Sequence, residues 1–342
     1  MLHKWIGLFL FAALPLMANE CCCCWEEEPL TCCSCECPDG PSSTRLSVRH
    51  REGNGIGYPR GYTSFDLLYS QDWGGNWHTF ADLRGHIAND GKWTTNAGLG
   101  VRYLNDCCSA VYGLNLFWDW LEARHMNFHQ LGAGIEFLWP CWDLRFNGYA
   151  PVSRTHKTYR KTFDKFKGNQ AYFERKEELA LSGFDGAVGC WLYDGGCFGI
   201  HTALGGYYFR GDHKRNLGGG LFRAKVKITD YVTVEGQASY DSQFKWIGQG
   251  ELALHLPFGP CVEREARSVS SCCDLLALEY RLVEQVERFA IPPTITRSKS
   301  TVGLDSETGL PLTFYFVDNT SSSAGTFESP FPTFAQAVAA SG

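Results

Sequence analysis

The chain has 342 residues, 44% of them hydrophobic, 14% aromatic and 20% charged, with a net charge of −6; this balance gives no whole-chain reason to expect nucleic-acid binding. The longest stretch without a charged or polar side chain, Trp5 to Ala18, has 14 residues, and a spanning helix needs about 20. A bundle of membrane helices is therefore excluded, whereas a membrane β-barrel, whose lumen face is polar, is not.

Residues 1–19 read as a signal peptide. His3 and Lys4 form a basic start, Trp5 to Met17 the apolar middle, and Ala18 the small residue before the cut. A buried core helix is the weaker reading, because Pro15 sits inside the stretch. Export would take the 16 Cys into an oxidising compartment. Residues 20–44 form a Cys-rich periplasmic segment with Cys at 21 to 24, 32, 33, 35 and 37. It has no apolar periodicity from which to build a core.

From Arg45 to Phe258 apolar residues alternate with polar or Gly residues. Trp93, Thr95, Ala97, Leu99, Val101 and Tyr103 share one face, and Thr94, Asn96, Gly98, Gly100 and Arg102 the other. Leu114, Leu116 and Trp118 likewise oppose Asn115, Phe117 and Asp119, and Val226 and Ile228 oppose Lys225 and Lys227. This is strand periodicity, held for as long as a strand tilted across a bilayer requires. Trp77, Trp93, Tyr103, Trp118, Trp120, Trp139 and Trp142 fall near segment ends, where an interfacial girdle sits. The competing reading, a soluble sandwich or lipocalin-like barrel, would turn the apolar face inward.

Twelve strands are expected, at 45–51, 61–70, 76–87, 92–104, 109–121, 126–139, 142–151, 180–193, 197–210, 217–228, 231–241 and 244–257. The predicted fold is thus all-β, a 12-stranded antiparallel transmembrane β-barrel over 45–258, followed by a short helical linker. An even count is the rule for single-chain outer-membrane barrels. With a periplasmic N-terminus, the turns 71–75, 105–108, 140–141, 194–196 and 229–230 are periplasmic and short. The longest connection, 152–179, is then a large outer loop. It carries Arg154, Lys157, Arg160, Lys161, Lys165 and Lys167, a charge run that is either a solvated loop or a contact for an anionic surface.

Several stretches resemble the barrel of the inverse autotransporters, the intimin and invasin family. They are Lys92-Trp-Thr-Thr-Asn-Ala-Gly-Leu-Gly-Val-Arg-Tyr, Gly113-Leu-Asn-Leu-Phe-Trp-Asp-Trp, Gln130-Leu-Gly-Ala-Gly-Ile-Glu, Asn147-Gly-Tyr-Ala-Pro-Val-Ser, and Glu174-Arg175 with Gly183-Phe-Asp. Arg281-Leu-Val-Glu-Gln-Val-Glu-Arg-Phe-Ala-Ile is similar, more loosely, to the linker after the family's barrel. The resemblance implies an outer-membrane translocator and anchor, folded by the barrel-assembly machinery and surrounded by outer-membrane lipid. Residues 259–293 would cross the lumen, and 294–342 would begin a surface passenger of adhesin type, truncated here and meeting a host surface receptor. The N-terminus would be periplasmic and the C-terminus surface-exposed. Asp82, Arg84, Arg102, Asp119, Arg223, Lys225, Lys227, Glu235 and Glu251 are expected to face the lumen, against the linker or water. A family member often has a peptidoglycan-binding module before the barrel; here the Cys-rich stretch stands in that place.

The strand assignment sends most Cys to the periplasmic rim. Cys21, Cys24, Cys32, Cys35, Cys37, Cys107, Cys108, Cys141, Cys197, Cys261, Cys272 and Cys273 are the candidates for disulfides that tie the N-terminal segment to the barrel or to other envelope proteins. Metal binding is the rival, but Cys32 and Cys35 form a lone Cys-x-x-Cys pair without a partner at zinc-ribbon spacing. His78, Asp82, Arg84 and His86 share a lumen face, yet no nucleophile elbow, metal-binding His motif or Gly-rich phosphate loop occurs. No catalytic site, metal or cofactor is therefore expected. The alternatives to a translocator are a porin-like channel and a disulfide-linked structural envelope barrel.

Overall fold

The computed structural model describes residues 42–74, 76–105, 109–123, 125–153, 155–194, 198–211, 216–261, 275–321 and 324–341. The signal peptide and most of the Cys-rich segment lie outside these residues, as do Arg154, Cys107, Cys108, Cys197, Cys272 and Cys273. The chain divides into two units, one comprising the described residues to Thr155 together with Ala180–Thr294, the other His156–Leu179 with Ile295 onward.

The first unit is a closed antiparallel barrel. Its strands are β1 (Ser42–Glu52), β2 (Tyr62–Asp72), β3 (Trp77–Ala88), β4 (Trp93–Asn105), β5 (Ala110–Glu122), β6 (Asn127–Leu138) and β7 (Trp142–Pro151). After β8 (His156–Lys167) and β9 (Gln170–Ala180) come β10 (Ser182–Asp194), β11 (Gly199–Arg210), β12 (Asn216–Thr229), β13 (Val232–Asp241) and β14 (Lys245–Cys261). Among the described residues twelve strands close the ring, β7 pairing with β10 and β1 with β14. The expected strand count holds. The pairing of β1 and β14 extends from Glu52↔Gly250 to Ser42↔Cys261, past the predicted limits, through a register shift between Ser42 and Thr44.

Alternation explains which side of each strand is buried. On β4 and β5 Leu99, Leu114 and Leu116 are exposed, while Asn96, Arg102, Asn115 and Asp119 are buried. A soluble protein would reverse this; here the apolar side chains form the lipid face and the polar ones fill the lumen. Trp77 packs at a tilt against Tyr103 (ring centroids 4.8 Å apart), and Trp139 stacks on Trp142 (3.8 Å), near strand ends, where amphipathic rings meet the headgroup region. None of the described helices is long and apolar enough to cross a membrane; the strands are the crossing elements.

Ion pairs reinforce the β1–β14 ladder at the seam. Arg51 on β1 reaches Glu251 on β14 and Glu235 on β13, both at 2.8 Å. Arg49 reaches Asp66 on β2 at 2.5 Å and Glu251 at 3.4 Å. Two arginines thus tie the first strand to its neighbours on both sides.

One prediction needs correction. The connection 152–179 is not an irregular loop: β8 and β9 form a hairpin, joined by β15 (Thr294–Val302) in the sheet order β15-β9-β8. The Lys and Arg run gives the stretch a loop-like composition, and the register shifts between Thr158 and Arg160 and between Phe163 and Lys165 interrupt the two-residue period by which a strand is recognised. The short helical linker is present: helix α1 covers Leu275–Leu282, and residues 284–293 after it are not helical. Arg102 accounts for the stop, since it donates to the carbonyls of Leu282 (2.9 Å) and Glu284 (2.6 Å), which a continuing helix would need for itself.

The second unit holds the β8–β9 hairpin, β15 and a compact C-terminal stretch ending in helix α2 (Phe334–Ser341). Asp305 accepts backbone N–H bonds from Thr308 and Glu307, which hold its carboxyl below the usual range and close a turn. Val317 and Phe331 form a parallel bridge.

Leu116 lies in the middle of β5 on the lipid face. Leu116→Arg is expected to lower the barrel's unfolding free energy in lipid vesicles by about 2–4 kcal/mol, measured by urea titration with tryptophan fluorescence.

Candidate functional site in the barrel lumen

The lumen is occupied by the chain itself. From α1 to Pro293 the linker crosses from one rim to the other, held by apolar clusters at successive heights. Leu278 and Leu282 pack on Leu104, Val111 and Leu138 at the rim carrying the β4–β5 and β6–β7 turns. Val286 packs on Leu68, Phe80 and Phe117 midway. Ile291 packs on Tyr62, Leu121, Phe128 and Ala180 at the opposite rim. Phe289 sits among Tyr149, Tyr207 and Phe209, with ring centroids 5.6–6.2 Å away.

After Leu282 the linker has no helix or strand partner, so its backbone polar groups need other partners. The wall supplies them. Arg84 donates to the Val286 carbonyl (2.7 Å), Asn147 to Glu287 (3.1 Å), Asn96 to Ala290 (2.8 Å), and the Leu181 amide to Pro293 (3.0 Å). The Tyr149 hydroxyl accepts from the Phe289 amide (2.9 Å) while donating to Asp185 (2.5 Å). Wall carboxylates orient these donors: Asp82 holds Arg84 and Glu136 holds Arg102.

The linker's charges find partners of the opposite sign. Arg288 makes two parallel bonds to Asp119, both 2.6 Å. Its guanidinium lies 4.3 Å from the Phe117 ring centroid and 5.4 Å from that of Tyr149. Gly132 is required beneath it, since a Cβ there would come within 2.5 Å of the guanidinium. Asp119 accepts further bonds from Asn96 (2.7 Å) and Gln130 (3.3 Å), so its charge is fully coordinated. Glu287 pairs with Arg145 (3.2 Å), Arg223 and Lys225. Glu284 pairs with Arg145 (3.0 Å) and Arg281 (2.7 Å), and Arg281 also reaches Asp143 (3.5 Å).

The expected lumen residues fall into three groups. Arg84, Arg102, Asp119, Arg223 and Lys225 contact the linker directly. Asp82 acts through Arg84, and Lys227 pairs with Asp230 (2.5 Å) and lies 5.6 Å from the Tyr280 ring. Glu235 and Glu251 belong to the seam. Sequence reasoning missed Asn96, Arg145, Asn147, Glu284, Glu287 and Arg288 as contact residues. Glu284, Glu287 and Arg288 stand between Val283, Val286 and Phe289, and that interleaving of charge with apolar anchors was the available signal. Beside the linker a cavity of about 820 Å³ remains, lined in part by Arg45, Arg49, Lys227 and His255.

Of the cysteines, Cys141 in the β6–β7 turn and Cys190, opposite Trp142 on β10, are half-buried; the side chain of Cys261 lies outside the described residues. His86 is bonded to Ser64 (2.5 Å) and Asn96 (2.7 Å). Among the described residues no group of three or more His, Cys, Asp or Glu side chains is placed to hold a metal ion.

A lipid-facing apolar band around a polar, occupied lumen defines an outer-membrane β-barrel. Residues 61–208 match the family model of the inverse autotransporter β-domain. Among solved structures, a chain from work on in-meso crystallization of membrane proteins superposes with a TM-score of 0.56 at 17% identity. That match covers 74% of this chain and 99% of the other, and it supports the fold. An outer membrane channel from Pseudomonas putida F1 gives 0.42 at 10% identity, over 65% and 97% of the two chains. The β domain of the Bordetella autotransporter BrkA gives 0.25 at 10% identity, over 63% and 98%. No curated protein matches the chain significantly.

Removing Arg288 alone leaves a buried, unpaired Asp119. Arg288→Met is expected to cost about 3–5 kcal/mol, and Asp119→Asn/Arg288→Met to cost less than the single change. Equilibrium unfolding of both variants in vesicles checks this.

Proposed function

We propose that this protein is the translocator and outer-membrane anchor of an inverse autotransporter, carrying the segment after its linker to the cell surface. The observation that supports this most directly is the route of the linker. It spans the lumen from the rim near the C-terminal end of β14 to the opposite rim, with wall donors on its carbonyls and paired charges at Glu284, Glu287 and Arg288. A plug in a simple channel has no need to thread from one rim to the other. In this reading the rim with the β4–β5 and β6–β7 turns is periplasmic, residues 1–19 direct export, and residues 20–44 stay in the periplasm.

Threading also suggests how export ends. The barrel wall is formed by residues that precede the linker, so the wall is available before the linker settles. Once Arg288 reaches Asp119 and Glu287 reaches Arg145, Arg223 and Lys225, the linker has a low-energy stopping position, and nucleotide hydrolysis plays no part. The displayed segment would then serve in surface contact, as an adhesin does. The porin-like alternative draws on the residual cavity of about 820 Å³.

With a tag placed after Gly342, a protease too large to enter the periplasm is expected to remove the tag from intact cells. Protection until the outer membrane is permeabilised would instead place the C-terminus in the periplasm and favour the channel.

A further inference from the structure

The β8–β9 hairpin comes from the barrel part of the sequence, between β7 and β10, whereas β15 follows the linker. Yet the three strands form one sheet with β9 in the centre. An isolated hairpin is marginal in water; β9 gains its second neighbour only when β15 adds to it. The contact is specific. Arg297 reaches Glu177 at 2.6 Å, Ser298 donates to Glu174 at 2.5 Å and Ser300 to Asp164 at 2.9 Å. The Gly303 amide donates to the Ala171 carbonyl at 2.8 Å, and a Cβ at Gly303 would stand 2.5 Å from the Phe173 ring.

The hairpin tip is engaged as well. The Phe314 amide donates to the Asn169 carbonyl (2.7 Å) and the Phe327 amide to that of Gly168 (3.0 Å). The Asn169 side chain donates to the carbonyls of Phe314 (2.8 Å) and Gly325 (2.9 Å). The Gly168 amide donates to the Glu328 carboxylate (3.0 Å). Phe166 lies within 4.8–5.8 Å, ring to ring, of Phe163, Phe314, Phe316 and Phe327. The opposite edge of the hairpin is guarded: β8 breaks register between Thr158 and Arg160 and between Phe163 and Lys165, and exposes Lys157, Lys161 and Lys165. Bulges and lysines of this kind discourage strand addition, which leaves β9 as the hairpin's receptive edge.

We propose that the β8–β9 hairpin is a receiving template for the exported segment of the same chain. Residues 294–302 add to β9 as a strand, and residues 313–331 close over the hairpin tip around Phe166. The free energy of this folding retains the segment beyond the barrel and opposes its return. The inference rests on the translocator reading, because residues 294–341 must emerge at the face where the hairpin waits.

The test uses the full chain with a C-terminal tag, in intact cells. It compares wild type with Phe166→Asp, with Phe166→Leu, and with a variant whose residues 156–179 are replaced by a short turn. Mobility in cold detergent reports whether each barrel has folded. Cleavage within residues 295–341 by added protease is expected to be at least about tenfold faster in Phe166→Asp and in the hairpin replacement than in wild type, since cleavage follows the open population. Phe166→Leu should stay near wild type. Equal cleavage rates in all four, with the tag accessible in each, would overturn the template. A tag inaccessible even in wild type would overturn the translocator reading and the template with it.

Discussion

A segment that passes through a β-barrel lumen without becoming a strand or a helix must still satisfy its amides and carbonyls. That constraint governs the whole interior of this protein. Burying an unpaired backbone group costs as much as losing a hydrogen bond, and the linker presents a run of such groups between Leu282 and Pro293. The wall answers with long donors: Arg84, Asn96, Arg102 and Asn147 each reach a linker carbonyl. Arginine and asparagine suit the task because they donate several bonds at once. Arg102 serves two linker carbonyls and Glu136 together; Asn96 serves Ala290 and Asp119 together.

The charges follow from the same constraint. So many guanidiniums in one lumen would repel each other, so carboxylates are interleaved with them. Asp82, Asp119 and Glu136 come from the wall, and Glu284 and Glu287 from the linker. A buried pair of charges adds little net stability, but breaking one is costly. The linker charges therefore define its position more than they add to its stability. Sliding by one residue would take Arg288 out of the notch at Gly132 and Glu287 away from its three basic partners. The apolar anchors Leu282, Val286, Phe289 and Ile291 supply the attraction, and the ion pairs supply the register.

The second unit applies a different rule, that of the sheet edge. β9 is completed by a strand from far along the chain, while β8 carries bulges and lysines on its outer side. A barrel connection with this design can hold chain that arrives later. Here a connection between two barrel strands shares a folded unit with the segment that follows the linker.

The strands of the barrel were legible in the sequence because alternation is a local signal. Within β5, Leu114 and Leu116 had to share a face opposite Asp119 whatever the tertiary structure, and within β4 Asn96 and Arg102 had to share a face opposite Leu99. The seam charges Glu235 and Glu251 were legible as lumen residues by the same count, though their bond to Arg51 was not. Contacts between the linker and the wall could not be read, because they join residues about 60 to 200 positions apart, and no periodicity relates them. That Arg288 would meet Asp119, and would need Gly132 to do so, depends on the height at which the linker stops. The β8–β9 hairpin was hidden: two register shifts interrupt the period of β8, and a dense run of Lys and Arg resembles a solvated loop. What made it a strand pair was the neighbour that β9 finds in Thr294–Val302, and a pairing across that distance exists only once the chain is folded.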